Sequence, residues 1–262
     1  MNTMIGRLNG FYCYRHLLVQ LVEKDIKLKY RRSILGYLWS VLNPLLTMII
    51  MVAVFSNLMR GGIENFPVYL IIGQTLFSFM TEATNMALGS ITENAPLLKK
   101  TYVPKYIFTM ARVTSSLVNM IFSLGAMLIV FIVCGVDWNL KMFFIPVIFL
   151  QVYLFCLGLG LFLAQANVFF RDVRHLYSAF ITAWMYLTPI FYPLEMLPEW
   201  LAKAIVMFNP MYNYITQFRD VVLASTIPDV SMILTGFATA FFWMIAGTWC
   251  FLKTQNKFIL YI

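Results

Sequence analysis

The stretch RRSILGYLWSVLNPLL, residues 31–46, sets two arginines directly against an apolar run that contains Gly36, Trp39 and Pro44. The run continues without a charged residue to Leu58, which is long enough for a helix that crosses a bilayer, since such a helix needs about 20 apolar residues. Arginines beside such a run indicate the cytoplasmic end of a span. The stretch therefore predicts a membrane helix that is bent near its start, where the glycine allows close approach and the proline loosens the backbone.

The composition of the whole chain agrees with a membrane protein. Hydrophobic residues make up 61% of the sequence and charged residues 11%, and the mean hydropathy is +0.79, far from the values of soluble domains. The four cysteines are scattered and form no CxxC pair, which argues against a disulfide framework or a zinc site. The apolar runs lack the alternation of a β-barrel, so the predicted fold class is all-α and polytopic.

Charge-free runs divide the chain into six predicted spans within a single transmembrane domain, residues 1–262. Between the fifth and sixth spans, residues 195–229 contain three prolines and two apolar pieces that are too short or too polar to span, so we expect re-entrant or interfacial helices there. The predicted spans are about 34–58, 66–91, 106–136, 142–170, 176–194 and 230–252.

Most of the 19 Lys and Arg residues fall on the side of the membrane that holds both termini. The positive-inside rule therefore predicts a multi-pass protein of the cytoplasmic membrane with both termini in the cytoplasm. The net charge of +8 is explained by this asymmetry. No aromatic-basic platform accompanies the basic residues, so we expect no nucleic-acid partner.

The segment before the first span, residues 12–30, has the pattern of an amphipathic helix. Leu17, Leu21 and Leu28 recur at spacings of four and seven, while Glu23 and Lys24 take other positions. Such a helix lies along the inner membrane interface. It is either an anchor on anionic lipid or a contact surface for a cytoplasmic partner.

Two short charged links are predicted on the cytoplasmic side. The first elbow, residues 93–104, contains Pro96 and Pro104 and predicts a short helix in which Leu97 and Leu98 form an apolar knob beside lysines. The second elbow, residues 169–177, reads FFRDVRHLY, and its Asp172 is expected to pair with a neighbouring basic residue. The first link is either a docking element for a soluble partner or a tight turn.

Recognisable catalytic motifs are missing from the sequence. It contains no GxxxxGK[ST] loop, no GxSxG elbow and no HExxH pair, so we expect no catalytic residue, no metal site and no cofactor in this chain. Glu82 is the only acid inside a predicted span. It is either a gate or helix-pairing group, with Gln74, Thr81 and Asn85 as hydrogen-bonding neighbours, or an acid that extends toward the interface.

The chain has more aromatic residues, 24 Phe, 14 Tyr and 6 Trp, than anchoring at two interfaces requires. Sugar rings stack on aromatic faces, and a repetitive polymer could slide along such rings. For each single residue, packing in the core or against lipid is the alternative. The candidates for a substrate channel are Tyr37, Trp39, Phe55, Phe77, Phe79, Tyr153, Phe155, Trp184, Tyr186, Phe191 and Tyr192, together with Glu82.

Four segments of the sequence, taken in their order along the chain, resemble the membrane subunit of ABC-2 type exporters for polysaccharides. This group moves lipid-linked O-antigen, capsular polymer or teichoic acid. The similarity extends over nearly all of the chain. Thr109 departs from the family pattern, which often has a proline there, so the start of the third span is less certain. The segments are YRRSILGYLWSVLNPLL, NAPLLKKTYVP, FFRDV, and TPIFYPLEMLPEW followed by NP.

The resemblance implies a half-transporter: two copies of this chain form the pore, and two separate ABC ATPase subunits bind ATP and Mg. Membrane lipids and a polyprenyl-linked glycan are the other implied partners. The alternatives are an ABC-2 exporter of a small lipid or drug, an ion-coupled secondary transporter, and a scaffold that transports nothing. The implied ATPase contacts are Glu93, Asn94, Leu97, Leu98, Lys99, Lys100, Arg171, Asp172 and Arg174.

Overall fold

The structure, a computed structural model, describes residues 4–31, 35–58, 65–101 and 103–261. These residues form helices joined by short loops, and no β-strand occurs among them. The α-helices are α1 (Met4–Tyr30), α2 (Trp39–Leu58), α3 (Phe66–Gly89), α4 (Ala95–Lys100), α5 (Tyr106–Val133), α6 (Ile145–Phe169), α7 (Val173–Leu187), α8 (Glu199–Phe208), α9 (Pro210–Val222) and α10 (Val230–Thr254). Short 3-10 helices cover Gly36–Leu38, Leu140–Phe144, Leu194–Met196 and Gln255–Leu260.

Helix α3 lies at the centre of the molecule. It packs against α2, α5, α6, α7 and α9, and apolar side chains on several of its faces, including Leu70, Ile71 and Ile72, are buried. Helices α2, α5, α6, α7 and α9 are therefore arranged around α3, and α1 lies along the outside of α5.

Helices α6 and α10 make the most extensive contact in the molecule, and glycines allow it. A Cβ atom placed on Gly158 would overlap the backbone of Trp243 and Met244, and one placed on Gly247 would overlap the carbonyl group of Gly158. Small residues that bring two backbones together are typical of helix pairs in membranes.

In the described residues, four helical segments are long and apolar enough to cross a membrane: Gly36–Phe55, Tyr106–Val133, Leu140–Phe169 and Val230–Leu260. They correspond to the first, third, fourth and sixth predicted spans. Helix α3 matches the second predicted span in its bounds, but Gln74, Thr75 and Glu82 make it more polar.

The fifth predicted span, residues 176–194, is not one continuous helix. Helix α7 has 15 residues and ends at Leu187. Thr188 is extended, with φ −95° and ψ 128°, because a residue that precedes a proline is sterically excluded from the helical region. Pro189 therefore ends the helix before residue 194, the predicted end of the span.

Two further details of the first 40 residues differ from expectation. Leu21 and Val22 lie on the buried side of α1, but Leu28, which was assigned to the same apolar set, is 51% exposed. Gly36 has a φ of +49°, and a Cβ atom there would have no neighbour within 4 Å. This glycine therefore allows a left-handed backbone at the start of the first span and not a close approach.

The region between the last two predicted spans, residues 195–229, contains two helices, α8 and α9. Helix α8 is amphipathic and largely exposed, with Trp200 and Phe208 facing outward. Helix α9 is buried between α3, α6 and α10. Asn209 caps α9, since its side-chain oxygen accepts hydrogen bonds from the backbone N–H groups of Met211 and Tyr212.

Candidate functional site

A cleft of about 580 Å³ opens between α2, α3 and α5. We call it the polar cleft, because many amide and hydroxyl side chains line it, alternating with aromatic rings and methionines. Such a lining is unusual inside a bundle of apolar helices and offers hydrogen bonds to a polar ligand. The polar cleft is lined by Lys29, Trp39, Ser40, Asn43, Pro44, Thr47, Met51, Gln74, Thr75, Ser78, Phe79, Glu82, Asn119, Met120, Ser123, Met185 and Phe191.

Glu82 is held in the wall of the polar cleft by two other helices. Its Oε1 atom lies 2.7 Å from Nζ of Lys29 on α1 and accepts a hydrogen bond of 2.8 Å from Nδ2 of Asn119 on α5. Glu82 is therefore a helix-pairing group. Its expected neighbours Gln74, Thr81 and Asn85 lie on the same helix as Glu82, and the bonds instead come from side chains that are distant in the sequence.

Two buried polar atoms beside the polar cleft lack a hydrogen-bond partner among the described residues. They are Oε1 of Gln74 and Oγ1 of Thr75. A buried polar group without a partner is costly, and ordered water is one way to satisfy it. Both side chains line the polar cleft, but these two atoms are closed to solvent, so neither is presented to a ligand there.

Four of the aromatic residues that were predicted to line a channel lie at the polar cleft or next to it, and Tyr37 lies apart from them. Trp39, Phe79 and Phe191 line the polar cleft, and Phe55 stacks on Phe191 with 5.8 Å between ring centroids. Tyr37 is half exposed and packs against Phe122.

The other channel candidates lie away from the polar cleft. Phe77 and Phe155 are buried, and both make edge-to-face contacts with Trp184. Both are core residues, and neither lines the polar cleft. Tyr153 is bonded to Thr114 at 3.0 Å. Tyr192 donates a hydrogen bond to the carbonyl oxygen of Tyr186, whose ring is exposed.

A second cavity, of about 450 Å³, is lined almost entirely by apolar side chains of α6, α7, α8 and α10. Trp184, Phe180 and Trp243 form much of its wall. Its chemistry suits a hydrocarbon chain and not a sugar.

Ion pairs connect α1, the two elbows and α5. Arg112 on α5 binds Asp25 of α1 at 3.1 Å and Glu93 of the first elbow at 3.0 Å. Glu93 also lies 3.7 Å from Arg174 of the second elbow. Arg174 of the second elbow thus pairs with Glu93. The expected partner of a basic residue at this elbow was Asp172. Burial raises the pKa of Asp25, and the charge of Arg112 limits that rise.

The predicted ATPase contacts differ in accessibility. Leu98 is 4% exposed and packs in the core with α5, whereas Leu97 is 38% exposed. The knob predicted from both leucines is therefore Leu97 alone. Asn94 donates a hydrogen bond to the carbonyl oxygen of Ser90. The remaining predicted contacts, Lys99, Lys100, Arg171, Asp172 and Arg174, are exposed.

Thr109, the departure from the family pattern, is buried and its hydroxyl lies 2.8 Å from that of Ser90. This hydrogen bond joins the end of α3 to the first turn of α5. Helix α5 is continuous from Tyr106, so the threonine does not alter the start of the third span.

Arg219 is a residue to which the sequence assigned no role, although it connects two separate segments of the chain. It is buried, and its guanidinium donates hydrogen bonds to the carbonyl oxygens of Pro189 at 2.8 Å and Tyr69 at 3.1 Å. Its Cζ atom lies 3.3 Å from the centroid of the Tyr69 ring. The sequence offers one indication of its burial. Arg219 is the single arginine in the segment 210–224, whose apolar residues recur at helical spacing.

Comparison with known proteins identifies the family. The profile of the family described as ABC-2 type transporter matches residues 16–223. The chain is 31% identical to the O-antigen export system permease protein RfbA of Myxococcus xanthus over 258 residues, which cover 97% of this chain and 98% of that protein.

Two further relatives are also named as export proteins. The chain is 30% identical to an O-antigen export system permease protein RfbA of Klebsiella pneumoniae, over 92% of this chain and 93% of that protein. It is 23% identical to the capsule polysaccharide export inner-membrane protein CtrC of Neisseria meningitidis serogroup A, over 81% of each. With the family profile covering most of its length and a relative above 30% identity aligned almost end to end, the chain belongs to the ABC-2 type transporter family.

Proposed function

We propose that this chain is the membrane subunit of an ATP-driven exporter that moves a lipid-linked polysaccharide across the cytoplasmic membrane. The observation that carries the proposal is the polar cleft, which places amides, hydroxyls and aromatic rings along one path between apolar helices. Sugar hydroxyls bind the first two kinds of group, and sugar faces stack on the third. The names of the relatives, which are O-antigen and capsule polysaccharide exporters, support this substrate class.

The proposed assembly contains two copies of this chain and two ABC ATPase subunits. ATP and Mg belong to the ATPase subunits, which supply the phosphate loop that is missing from this sequence. Two helices support a pore formed between copies. In the candidate span Gly36–Phe55 no residue is buried, and α7 exposes Leu176, Phe180 and Tyr186. Apolar faces of this size indicate an interaction surface or lipid contact.

The proposed topology has six membrane passes with both termini in the cytoplasm. The four long apolar segments account for four of these passes. Helix α3 is the second pass, and the short α7 together with the segment that follows it is the fifth. Helices α8 and α9 are placed as re-entrant helices on the outer side. The elbows, with α1, then face the ATPase subunits, because the excess of Lys and Arg lies on that side.

The proposed mechanism uses no covalent chemistry in this chain. Closure of the ATPase subunits around ATP pushes on the elbows and separates the two copies of the first and fifth spans. A glycan on an undecaprenyl-type lipid then enters and threads outward past the polar cleft. Membership of the ABC-2 family favours this ATP-driven cycle over an ion-coupled one.

The test is transport by the purified chain together with its ATPase subunit in lipid vesicles. The probe is the polyprenyl-linked polysaccharide extracted from the cells that produce this chain. Polysaccharide should cross the membrane with ATP, and neither with a non-hydrolysable analogue nor without the ATPase. A chain that transports the glycan without nucleotide, or a full complex that transports none, would exclude the proposal.

Export of a small lipid is the second candidate, because the apolar cavity between α6, α7, α8 and α10 suits hydrocarbon. The same vesicles distinguish the two substrates. Under the main proposal, ATP moves the lipid that carries polysaccharide, and a fluorescent phospholipid without a glycan stays on its original side.

A further inference from the structure

Helix α1 is attached to the membrane bundle at two points near its end. Asp25 binds Arg112 of α5 at 3.1 Å, and one turn later Lys29 binds Glu82 of α3 at 2.7 Å. Residues four apart lie on the same face of a helix. One face of α1 therefore makes two ion pairs of opposite polarity with two different helices.

The first of these attachments is linked to the elbows. Arg112 binds both Asp25 and Glu93, and Glu93 also pairs with Arg174. A displacement of either elbow changes the position of Glu93 relative to Arg112. Since Arg112 also holds Asp25, that displacement reaches α1 directly, through three charge pairs and no intervening loop.

The second attachment lies at the polar cleft. Lys29 and Glu82 are both lining residues of the cleft, so the pair joins α1 to the cleft wall across its edge. The two side chains are 44% and 32% exposed. Ion pairs with this much access to solvent are weak enough to open and re-form. Glu82 keeps its hydrogen bond from Asn119 when Lys29 leaves, so opening leaves the carboxylate with a partner.

The space between the two attachments allows movement of α1. A cavity of about 400 Å³ lies there, lined by Asp25, Lys29, Met86, Arg112 and Asn119 among others. Packed interfaces resist small displacements, whereas an interface with an open space between its contacts can shift. The end of α1 thus rests on two charge pairs, with Ile26 packed against the core between them.

We propose that Lys29 and Glu82 are positioning residues that couple the ATPase to the polar cleft. Movement of the elbows displaces α1 through Arg112. The Lys29–Glu82 pair then opens, and the edge of the cleft becomes accessible to the substrate. When the elbows return, the pair closes the edge again. This inference rests on the proposed function, because it assigns a coupling step to the same transport cycle.

Charge-reversal variants in the vesicle assay test the proposal. Lys29→Glu and Glu82→Lys each place like charges together and should lower export about tenfold, while ATP hydrolysis stays within about twofold of the unchanged protein. The double variant, which restores the pair with reversed polarity, should recover most of the export. A role in stability alone would not separate ATP hydrolysis from export.

A matched control lies on α8, away from the elbows and from α1. Lys203 and Glu199 form an exposed ion pair four residues apart, with 3.6 Å between charged atoms, and neither lines the polar cleft. Lys203→Glu, Glu199→Lys and their combination should leave export and ATP hydrolysis unchanged. If a reversed chain does not assemble with the ATPase, Lys29→Gln and Glu82→Gln test the same loss of coupling without repulsion.

The outcomes separate this inference from the proposed function. If the unchanged complex exports polysaccharide and the single variants export equally well, the pair has no coupling role and the proposed function stands. If the singles lose export and the double variant does not recover it, coupling through this pair is also excluded. If the unchanged complex exports nothing with ATP, the proposed function itself fails.

Discussion

Arg219 shows how strongly one buried side chain can organise the outer end of the bundle. Its guanidinium bonds the carbonyl oxygens of Tyr69, Pro189 and Ile190, which belong to α3 and to the segment after α7. The hydroxyl of Tyr69 also donates to the carbonyl oxygen of Tyr192. The chain after α7 has no regular structure between Thr188 and Pro193, so these bonds replace the hydrogen bonds of a helix.

Replacing Arg219 with leucine should therefore destabilise the protein. The carbonyl groups would stay buried without their donor, and we expect the free energy of unfolding to fall by about 3 kcal/mol. Thermal unfolding of the detergent-solubilised chain measures the change. Lys203→Leu on α8 is the control, because Lys203 is 80% exposed and should change stability little. Equal effects of the two substitutions would contradict the structural role of Arg219.

The contact between α6 and α10 is the main example at the scale of helices. Sequence periodicity identifies both as spans, but neither helix has a sequence feature that names the other as its partner. The glycines Gly158 and Gly247 meet only because the two backbones cross there. Dispersion contacts, and not hydrophobic burial, stabilise such a pair in lipid.

Gly247→Ala should weaken this helix pair. The added methyl group would overlap the carbonyl group of Gly158, and overpacking of this kind costs about 2 kcal/mol. Gly125→Ala on α5 is a matched control, since its Cβ atom would lie at an ordinary 3.5 Å from Val41 and alanine favours a helix by about 0.8 kcal/mol over glycine. Thermal unfolding that ranks Gly125→Ala as the more harmful change would refute this packing.

The orientation of the whole molecule can be tested with its own cysteines. Cys134 follows the last turn of α5 and Cys250 lies near the end of α10, and both are partly exposed. Under the proposed topology they lie near opposite faces of the membrane. In a chain with Cys13→Ser, a membrane-impermeant maleimide added to intact cells should label Cys134, and Cys250 only after permeabilisation. The reverse pattern would overturn the positive-inside assignment.

The sequence by itself determined the class of the protein, the membrane helices with their approximate bounds, and the elbows. These features depend on local properties, which are the length of apolar runs, the position of prolines and the side on which lysines and arginines collect. The order of four motifs also predicted the ABC-2 family, which the comparisons confirmed. Helix α7 is shorter than the predicted fifth span because the helix ends before Pro189.

Only the tertiary structure decided which side chains meet. Glu82 pairs with Lys29, 53 residues away in the sequence, and Leu98 is buried while Leu97 is exposed. Phe77 packs against Trp184, whereas Phe79 lines the cleft. The spacing along one helix fixes the face on which a residue lies, but not the helix that covers that face. That choice depends on how all the helices pack together, and it places the polar cleft between α2, α3 and α5.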